Sequence, residues 1–529
     1  MTVRRIWWAA LALVLAAASA NAGAGTAPIA NLGPVAAAPT DSGLPEGWDR
    51  KGVFIEILVR AYQDSNGDGI GDLNGVTRRL DYLQSLGVRG IWLMPIFASQ
   101  DHDHGYAPTD LRAIEPDYGT LADFDRLLAE AHKRGIGVII DYVINHSGTE
   151  HPVFASAASS PSSPYRNWYV FSDHDVEGWD VYGNPWRSNG GDWYYGPFDV
   201  TMPEWNLRNP AVVDYHLDNL RFWLNRGVDG FRFDAVGRLY ENGPSAWEDQ
   251  PENHVLMKRA QTLLASYGKR YMVCEAASKP VAFAAADSCG SSFAFGLQNH
   301  IIKSVHMGRL VPDVLHTLRR MPIERMGTLL SSHDSYAGTR LYKQFDGDEA
   351  SYKLATATLL TLPGRPFIYY GEEIGLALAE PVQYADPSIR GPMSWDDTPN
   401  AGFTTNRAPF RPLVTNWRTH NVALQERQPA SLLHWYRALI ALRNAHPALQ
   451  TGTFEPLVKG DEPVFSFVRE ADGERLLVWI NYSLAEAAVP VPAGLKAAKW
   501  EPVFPAPKKG TGALPATMAA QSVMVFKAR

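Results

Sequence analysis

The strongest constraint on how this chain can fold is a rhythm between Val53 and Tyr370: short apolar runs alternating with segments whose apolar residues recur at helical spacing. The runs are Val53–Val59, Gly90–Phe97, Gly137–Asn145, Gly230–Val236, Tyr271–Ala276, Ser292–Leu297, Met326–Ser332 and Pro366–Tyr370. Helical patterns follow at Leu73–Leu86, Leu121–Arg134, Ala211–Asn225 and Trp247–Ser266. Strands that alternate with helices pair in parallel, because the crossover returns the chain to the same end of the sheet. Gly137–Asn145 is apolar almost throughout, as a strand covered on both faces must be. The pattern predicts an α/β fold, a (β/α)8 barrel.

Two regions break the rhythm. Residues 147–203 carry Ser/Pro runs, many aromatics and no clear helix, which predicts a small irregular domain inserted after the third strand. Beyond Pro447 the short alternating segments Val464–Val468, Leu476–Ile480 and Ser522–Phe526 predict a C-terminal β-sandwich over 448–529. The barrel is thereby assigned to 50–146 and 204–447.

The N-terminus differs in kind. Arg4 and Arg5, an apolar run from Ile6 to about Ala18, and Ala20-Asn21-Ala22 have the three-part pattern of a secretory signal peptide over 1–22. A membrane anchor is the alternative, but the run is short for a span. Export to the periplasm or the outside is expected, with a flexible Ala/Pro/Gly-rich lead-in over 23–49. Export permits a disulfide between the two cysteines, Cys274 and Cys289; two buried thiols are the alternative. A net charge of −7 with no basic block argues against a nucleic-acid partner or an anionic membrane surface.

In a barrel of this kind chemistry sits at the C-terminal ends of the strands. There the chain places Asp141…Asn145-His146, Arg232-Phe-Asp234, Cys274-Glu275 and Ser332-His333-Asp334. Arg232 and Asp234, two apart on a strand, share a face. Alone they read equally well as a structural ion pair. Four strand ends that bring carboxylates, histidines and an arginine together are what glycoside hydrolysis needs, one carboxylate to attack and one carboxylic acid to protonate. A separate loop, Asp64-Ser-Asn66-Gly-Asp68-Gly-Ile70-Gly-Asp72, offers an oxygen at every second residue, like the first part of an EF-hand. Gly75 stands where that motif needs Glu, so a metal-free Asp/Asn/Gly turn is the alternative reading.

These motifs resemble the conserved regions of the α-amylase family of glycoside hydrolases (family 13). Asp141-Tyr-Val-Ile-Asn-His146, Gly230-Phe-Arg-Phe-Asp234, Glu275 and His333-Asp334 match its four regions in order. Met202-Pro-Glu-Trp-Asn206 resembles a further one, and Gly90–Pro95 and Ile368–Gly375 resemble its second and eighth strands. The resemblance implies that Asp234 is the nucleophile of a covalent β-glycosyl intermediate. Glu275 is then the general acid and later base, and Asp334 the transition-state stabiliser. Arg232 is expected to hold Asp234 ionised, and the apolar approach Met272-Val273-Cys274 to raise Glu275 towards a proton donor. Tyr106 is the expected sugar platform, with Asp103, His104, His146, Arg232, His333 and Arg390 as sugar contacts. Satisfied structural histidines are the alternative for His146 and His333. The resemblance further implies a Ca²⁺ site, with Mg²⁺ as alternative, at Asp64, Asn66, Asp68, the Ile70 carbonyl and Asp72. The implied substrate is an α-glucan or maltooligosaccharide. Ala235 stands where Val often accompanies α-1,6 preference, so α-1,4 bonds are expected, cleaved with retention by an α-amylase. An α-glucosidase, cyclomaltodextrinase or transglycosylase is the alternative. A non-catalytic binding relative is disfavoured because all three carboxylates are present.

Overall fold

The computed structural model describes residues 31–381, 385–489, 491–496, 499–505 and 513–529. The signal-like segment 1–22 lies outside them.

Seven short strands form one parallel sheet. They are β1 (Phe54–Ile57), β2 (Gly90–Leu93), β3 (Gly137–Tyr142), β4 (Gly230–Phe233), β5 (Tyr271–Cys274), β6 (Gly327–Thr328) and β7 (Arg365–Tyr369). The hydrogen-bonded order is β5-β4-β3-β2-β1-β7-β6. Between β5 and β6 the circle is completed by two residues, Ser292 bridging to Cys274 and Phe293 to Gly327, both parallel. The barrel therefore has eight strand positions. The sixth, expected over Ser292–Leu297, is two residues long because Gly296 turns the chain (φ 97°) into the helix Leu297–His306. The strands end earlier than their apolar runs, since past the barrel rim no neighbour continues the ladder.

Helices cover the barrel. Leu121–Lys133 begins with a reciprocal cap, Thr120 accepting from the Asp123 amide while Asp123 accepts from the Thr120 amide. Pro210–Asn225 and Pro251–Ser266 both start with proline at a position whose N–H would be unpaired anyway. The expected single helix Leu73–Leu86 is two, Leu73–Arg78 and Leu80–Leu86. At the break the Arg79 guanidinium stacks 3.8 Å from the Trp395 ring centroid. Among the described residues no helix is long and apolar enough to cross a membrane.

Two expectations are corrected. The insertion does contain a helix, Pro152–Ser159, capped by His151, whose Nδ1 accepts from the Val153 amide at 3.2 Å. The described part of the lead-in is not a free tail. Lacking a pairing partner of its own, it gives backbone N–H groups to polar side chains of the helix Pro210–Asn225: Val35 to Asp218 (3.0 Å) and Ala38 to Asn225 (2.8 Å). It ends in a helix, Trp48–Lys51, whose Trp48 is buried against Phe54. The C-terminal region begins after the helix Pro447–Thr451 and is built of β-strands apart from one helical turn, Ala493–Lys496. Its five-stranded antiparallel sheet runs in the order 453–456, 464–471, 474–481, 522–528, 500–504, and a two-stranded pair accompanies it.

Cys274 and Cys289 form a disulfide, closing a sequence separation of 15 residues. Both sulfurs are buried, and the bridge pins the segment that follows Glu275 to the strand that carries it. A loop of that length is stabilised by about 3 kcal/mol through the entropy removed from the unfolded chain. The Cys274→Ser/Cys289→Ser double variant is expected to unfold at correspondingly lower denaturant; an unchanged midpoint would refute this.

Candidate active site

Arg232, on β4 and buried, is the hub of the strand ends. Its Nη1 donates to Asp141 (2.8 and 2.9 Å) and to Asp234 (2.7 Å), and its Nη2 to Glu275 (2.6 Å). Asp141 also accepts from Trp92 Nε1 (3.2 Å) and the Tyr106 hydroxyl (2.9 Å). Beside this trio Asp334 is held by the Arg390 guanidinium (2.9 Å) and by His333 Nε2 (3.1 Å). His333 Nδ1 donates to Glu56 on β1. The His333 and Tyr106 rings stack at 5.5 Å.

The environments of the two carboxyls push in directions opposite to those expected from the sequence. Burial, with Glu275, Asp141 and Asp334 adding to it, pushes the Asp234 carboxyl well above its ordinary range against the pull of Arg232. Burial would also raise Glu275, but Arg232, the Tyr336 hydroxyl and the Ala235 amide (3.0 Å) together hold it below. One guanidinium cannot neutralise three buried carboxylates, so the group retains a proton. Ala235 reaches Glu275 because its backbone turns left-handed immediately after the nucleophile position (φ 43°).

His333 is charged. Burial opposes its protonation, but Asp334 and Glu56 outweigh it and lift its pKa to about 10. A folded-state pKa above the unfolded value of about 6.5 stabilises fully below pH ~6.5, and the gain is lost as pH rises through about 10. The stability gap between the wild type and His333→Gln is expected to shrink by a few kcal/mol between pH 7 and pH 10.5. Chemical denaturation at both pH values measures it, and a constant gap would contradict the assignment.

The carboxylates open into a cavity of about 490 Å³. Asp234, Glu275, Asp334, Tyr106 and His146 line it together with Tyr182, Phe198, Arg238, Glu248 and Ser278. Of the expected sugar contacts, Tyr106 and His146 reach the wall, while Arg232, His333 and Arg390 stand behind the carboxylates they support. Asp103 and His104 do not line it. Asp103 is gripped by both oxygens in an ion pair with Arg411 (2.7 and 2.8 Å), and His104 faces Asp101 at 3.3 Å. His146 spends its Nε2–H on the Tyr106 carbonyl (2.7 Å), and burial lowers its pKa to about 4, so it is neutral. Tyr336, Glu56 and Arg411 escaped the sequence reading. Only Tyr336 carried a signal, two residues beyond Asp334.

In the Asp64–Asp72 loop the carboxylates turn inward. Asp64 accepts from the amides of Asn66, Gly67 and Gly69 (2.9, 2.7 and 2.9 Å), and Asp72 from those of Ser65 and Gly75 (2.8 Å each). Asp64 and Asp72 are buried, and none of the loop's aspartates is ion-paired among the described residues. An oxygen-only set with uncompensated negative charge fits a hard divalent cation.

Compared with known proteins, residues 56–452 match the family described as "Alpha amylase, catalytic domain". The chain is 34% identical over 499 residues to a trehalose synthase/amylase of Mycolicibacterium smegmatis, covering 83% of each. It is 30% identical over 540 residues to a trehalose-6-phosphate hydrolase of Bacillus subtilis, covering 86% of this chain and 93% of the relative. Among solved structures, the α-glucosyl transfer enzyme XgtA superposes with a TM-score of 0.79 at 30% identity, covering 91% of this chain and 99% of that one.

Proposed function

The chain belongs to the α-amylase family of glycoside hydrolases, and on that premise we propose that it removes a terminal α-glucosyl unit from short α-glucosides. The unit passes through a covalent intermediate to water or to a second sugar. The observation that carries this reading is the set of ion pairs behind Asp334. There Arg390 holds Asp334 and the His333 carbonyl (2.9 Å each), while the Asp103–Arg411 pair ties the loop after β2 to the segment beyond β7. Segments tied together behind Asp334 favour a pocket for one end sugar over a groove for a threaded glucan. Relatives whose names refer to trehalose and glucosyl transfer support the same choice. Starch cleavage by an α-amylase stays the second reading, favoured by the word "amylase" in the names of several relatives. Product analysis on maltose, trehalose, cyclodextrin, pullulan and starch separates the two. Glucose release or glucosyl exchange on the disaccharides, with starch and cyclodextrin nearly untouched, is expected; rapid internal cleavage of starch would favour the second reading.

Asp234 and Glu275 touch one guanidinium, in keeping with the close spacing of about 5–5.5 Å that a retaining mechanism uses. Asp234 attacks the anomeric carbon while Glu275 gives its proton to the departing oxygen. Glu275 is freed for this when sugar enters. The departing oxygen competes with the Tyr336 hydroxyl, which sits on a half-exposed ring, and losing that bond raises Glu275 at the expense of Asp234. Water or a second sugar then attacks from the side the leaving group vacated, with Glu275 as base. Asp334, ionised beside His333 and Arg390, stabilises the oxocarbenium-like charge.

In the loop after β1, Asp64, Asn66, Asp68, the Ile70 carbonyl and Asp72 would hold Ca²⁺, whose charge would balance the loop's aspartates. Chelation with EDTA is expected to lower the melting temperature by on the order of 5 °C. An unchanged melt, with no divalent ion found in the dialysed protein, would remove the site. The buried disulfide supports the exported location expected from the N-terminus.

A further inference from the structure

Glu275 has one oxygen left for proton traffic, and Tyr336 sits on it. Oε2 is committed within the barrel, accepting from Arg232 Nη2 at 2.6 Å and from the Ala235 amide at 3.0 Å. Among the described residues Oε1 accepts from the Tyr336 hydroxyl alone. An acid that protonates a departing oxygen must come within hydrogen-bond reach of it. That oxygen therefore has to take the place the phenol now fills, and the acid itself marks the leaving-group side.

Tyr336 is built to give way. It belongs to the turn Ser335–Ala337 just past Asp334, and its ring is 53% exposed, tilted against Phe295 at 5.4 Å. The turn beneath it is anchored by the Ser335 amide, which donates to Asp386 at 2.8 Å, so the side chain can swing on a fixed backbone. While in place, the phenol donates to a carboxylate, which favours the charged form and opposes protonation. The other charged groups facing Glu275 are tied into ion pairs. Arg232, shared with Asp141 and Asp234, favours ionisation, and Asp334, held by His333 and Arg390, opposes it. We propose that Tyr336 is a positioning residue that holds Glu275 back from protonation until an oxygen of the substrate displaces it. It thereby limits how far into alkaline pH the first step can run. The inference rests on the roles given to Asp234 and Glu275 in the reading above and adds the control of the acid.

The test is the ratio of kcat/KM in Tyr336→Phe to that in the wild type, on maltose or trehalose, followed across pH. This parameter reports groups in the free enzyme, where the phenol is on Glu275. At acid pH Glu275 is protonated in both proteins, and the donor matters little. Towards neutral and alkaline pH only a fraction is protonated, and removing the donor raises that fraction. The ratio should climb there to about tenfold in favour of the variant, the scale of one hydrogen bond to a charged group. The gain at the alkaline end should be much smaller on p-nitrophenyl α-glucoside, whose leaving group needs no proton. Because the ring is half exposed, the variant should melt with the wild type. A ratio on the disaccharide that stays flat with pH, or falls towards alkaline pH, overturns the proposal, as does an equal alkaline gain on the aryl glucoside. If neither the disaccharides nor the aryl glucoside is turned over, the glucosyl-transfer reading fails and the control of its acid falls with it.

Discussion

Asp234→Asn is expected to lower turnover of an α-glucosyl disaccharide on the order of 10⁴-fold or more, because no other group at the β4 end can form the covalent bond. Azide should restore part of the rate and yield β-glucosyl azide, since the small anion then attacks from the face Asp234 occupied. Glu275→Gln should behave differently. Its loss should be severe on disaccharides and much smaller in the first step on p-nitrophenyl α-glucoside, whose leaving group needs no proton. Azide should intercept its intermediate from the opposite face and give α-glucosyl azide. The contrast matters because the resting site pushes the Asp234 carboxyl up and holds that of Glu275 down. Exchanged azide anomers in the two variants would mean that the roles are exchanged too. Inversion of configuration in the wild type, followed by NMR, would discard double displacement altogether.

The barrel and its acids were legible because their signals are local. Parallel strands buried on both faces read as apolar runs, and a carboxylate that breaks such a run at its end, as Asp234 and Glu275 do, stands out. The alternating oxygens of the Asp64–Asp72 loop stand out for the same reason, all within nine residues. Pairings across the fold were not. Glu56 looks like a misfit within a core strand until His333, 277 residues away, is seen bonded to it. Asp103 read as a sugar contact because nothing nearby reveals Arg411, 308 residues on. The direction of the Glu275 shift failed for a related reason. Its apolar neighbours in sequence are real, yet its charge is set by Arg232, Tyr336 and the Ala235 amide, which arrive from other elements. The sixth strand position was blurred because two residues suffice where both neighbours are already in place.

Removing the hub should have the second large effect. Arg232→Gln leaves Asp141, Asp234 and Glu275 buried without their shared cation, and losing one partner of a buried ion pair costs about 3–5 kcal/mol. The cost should depend on pH. Without the guanidinium, the folded-state pKa values of these carboxyls rise above their unfolded values, so the folded variant binds more protons than the unfolded chain. Its stability then falls as pH rises through that window, and the deficit against wild type should be larger at pH 8 than at pH 5. Arg232→Lys tests geometry apart from charge. An ammonium is a point donor and cannot hold Asp141 and Asp234 from one nitrogen and Glu275 from another, as the guanidinium does at 2.6–2.9 Å. It should recover much of the stability while kcat stays about 100-fold down, because the positions of nucleophile and acid depend on the fork. Denaturant midpoints at both pH values and steady-state rates on p-nitrophenyl α-glucoside measure the two effects. Wild-type rates in Arg232→Lys would show that positive charge alone organises the acids. A deficit in Arg232→Gln that does not change with pH would show that the carboxyls are already neutral beside Arg232.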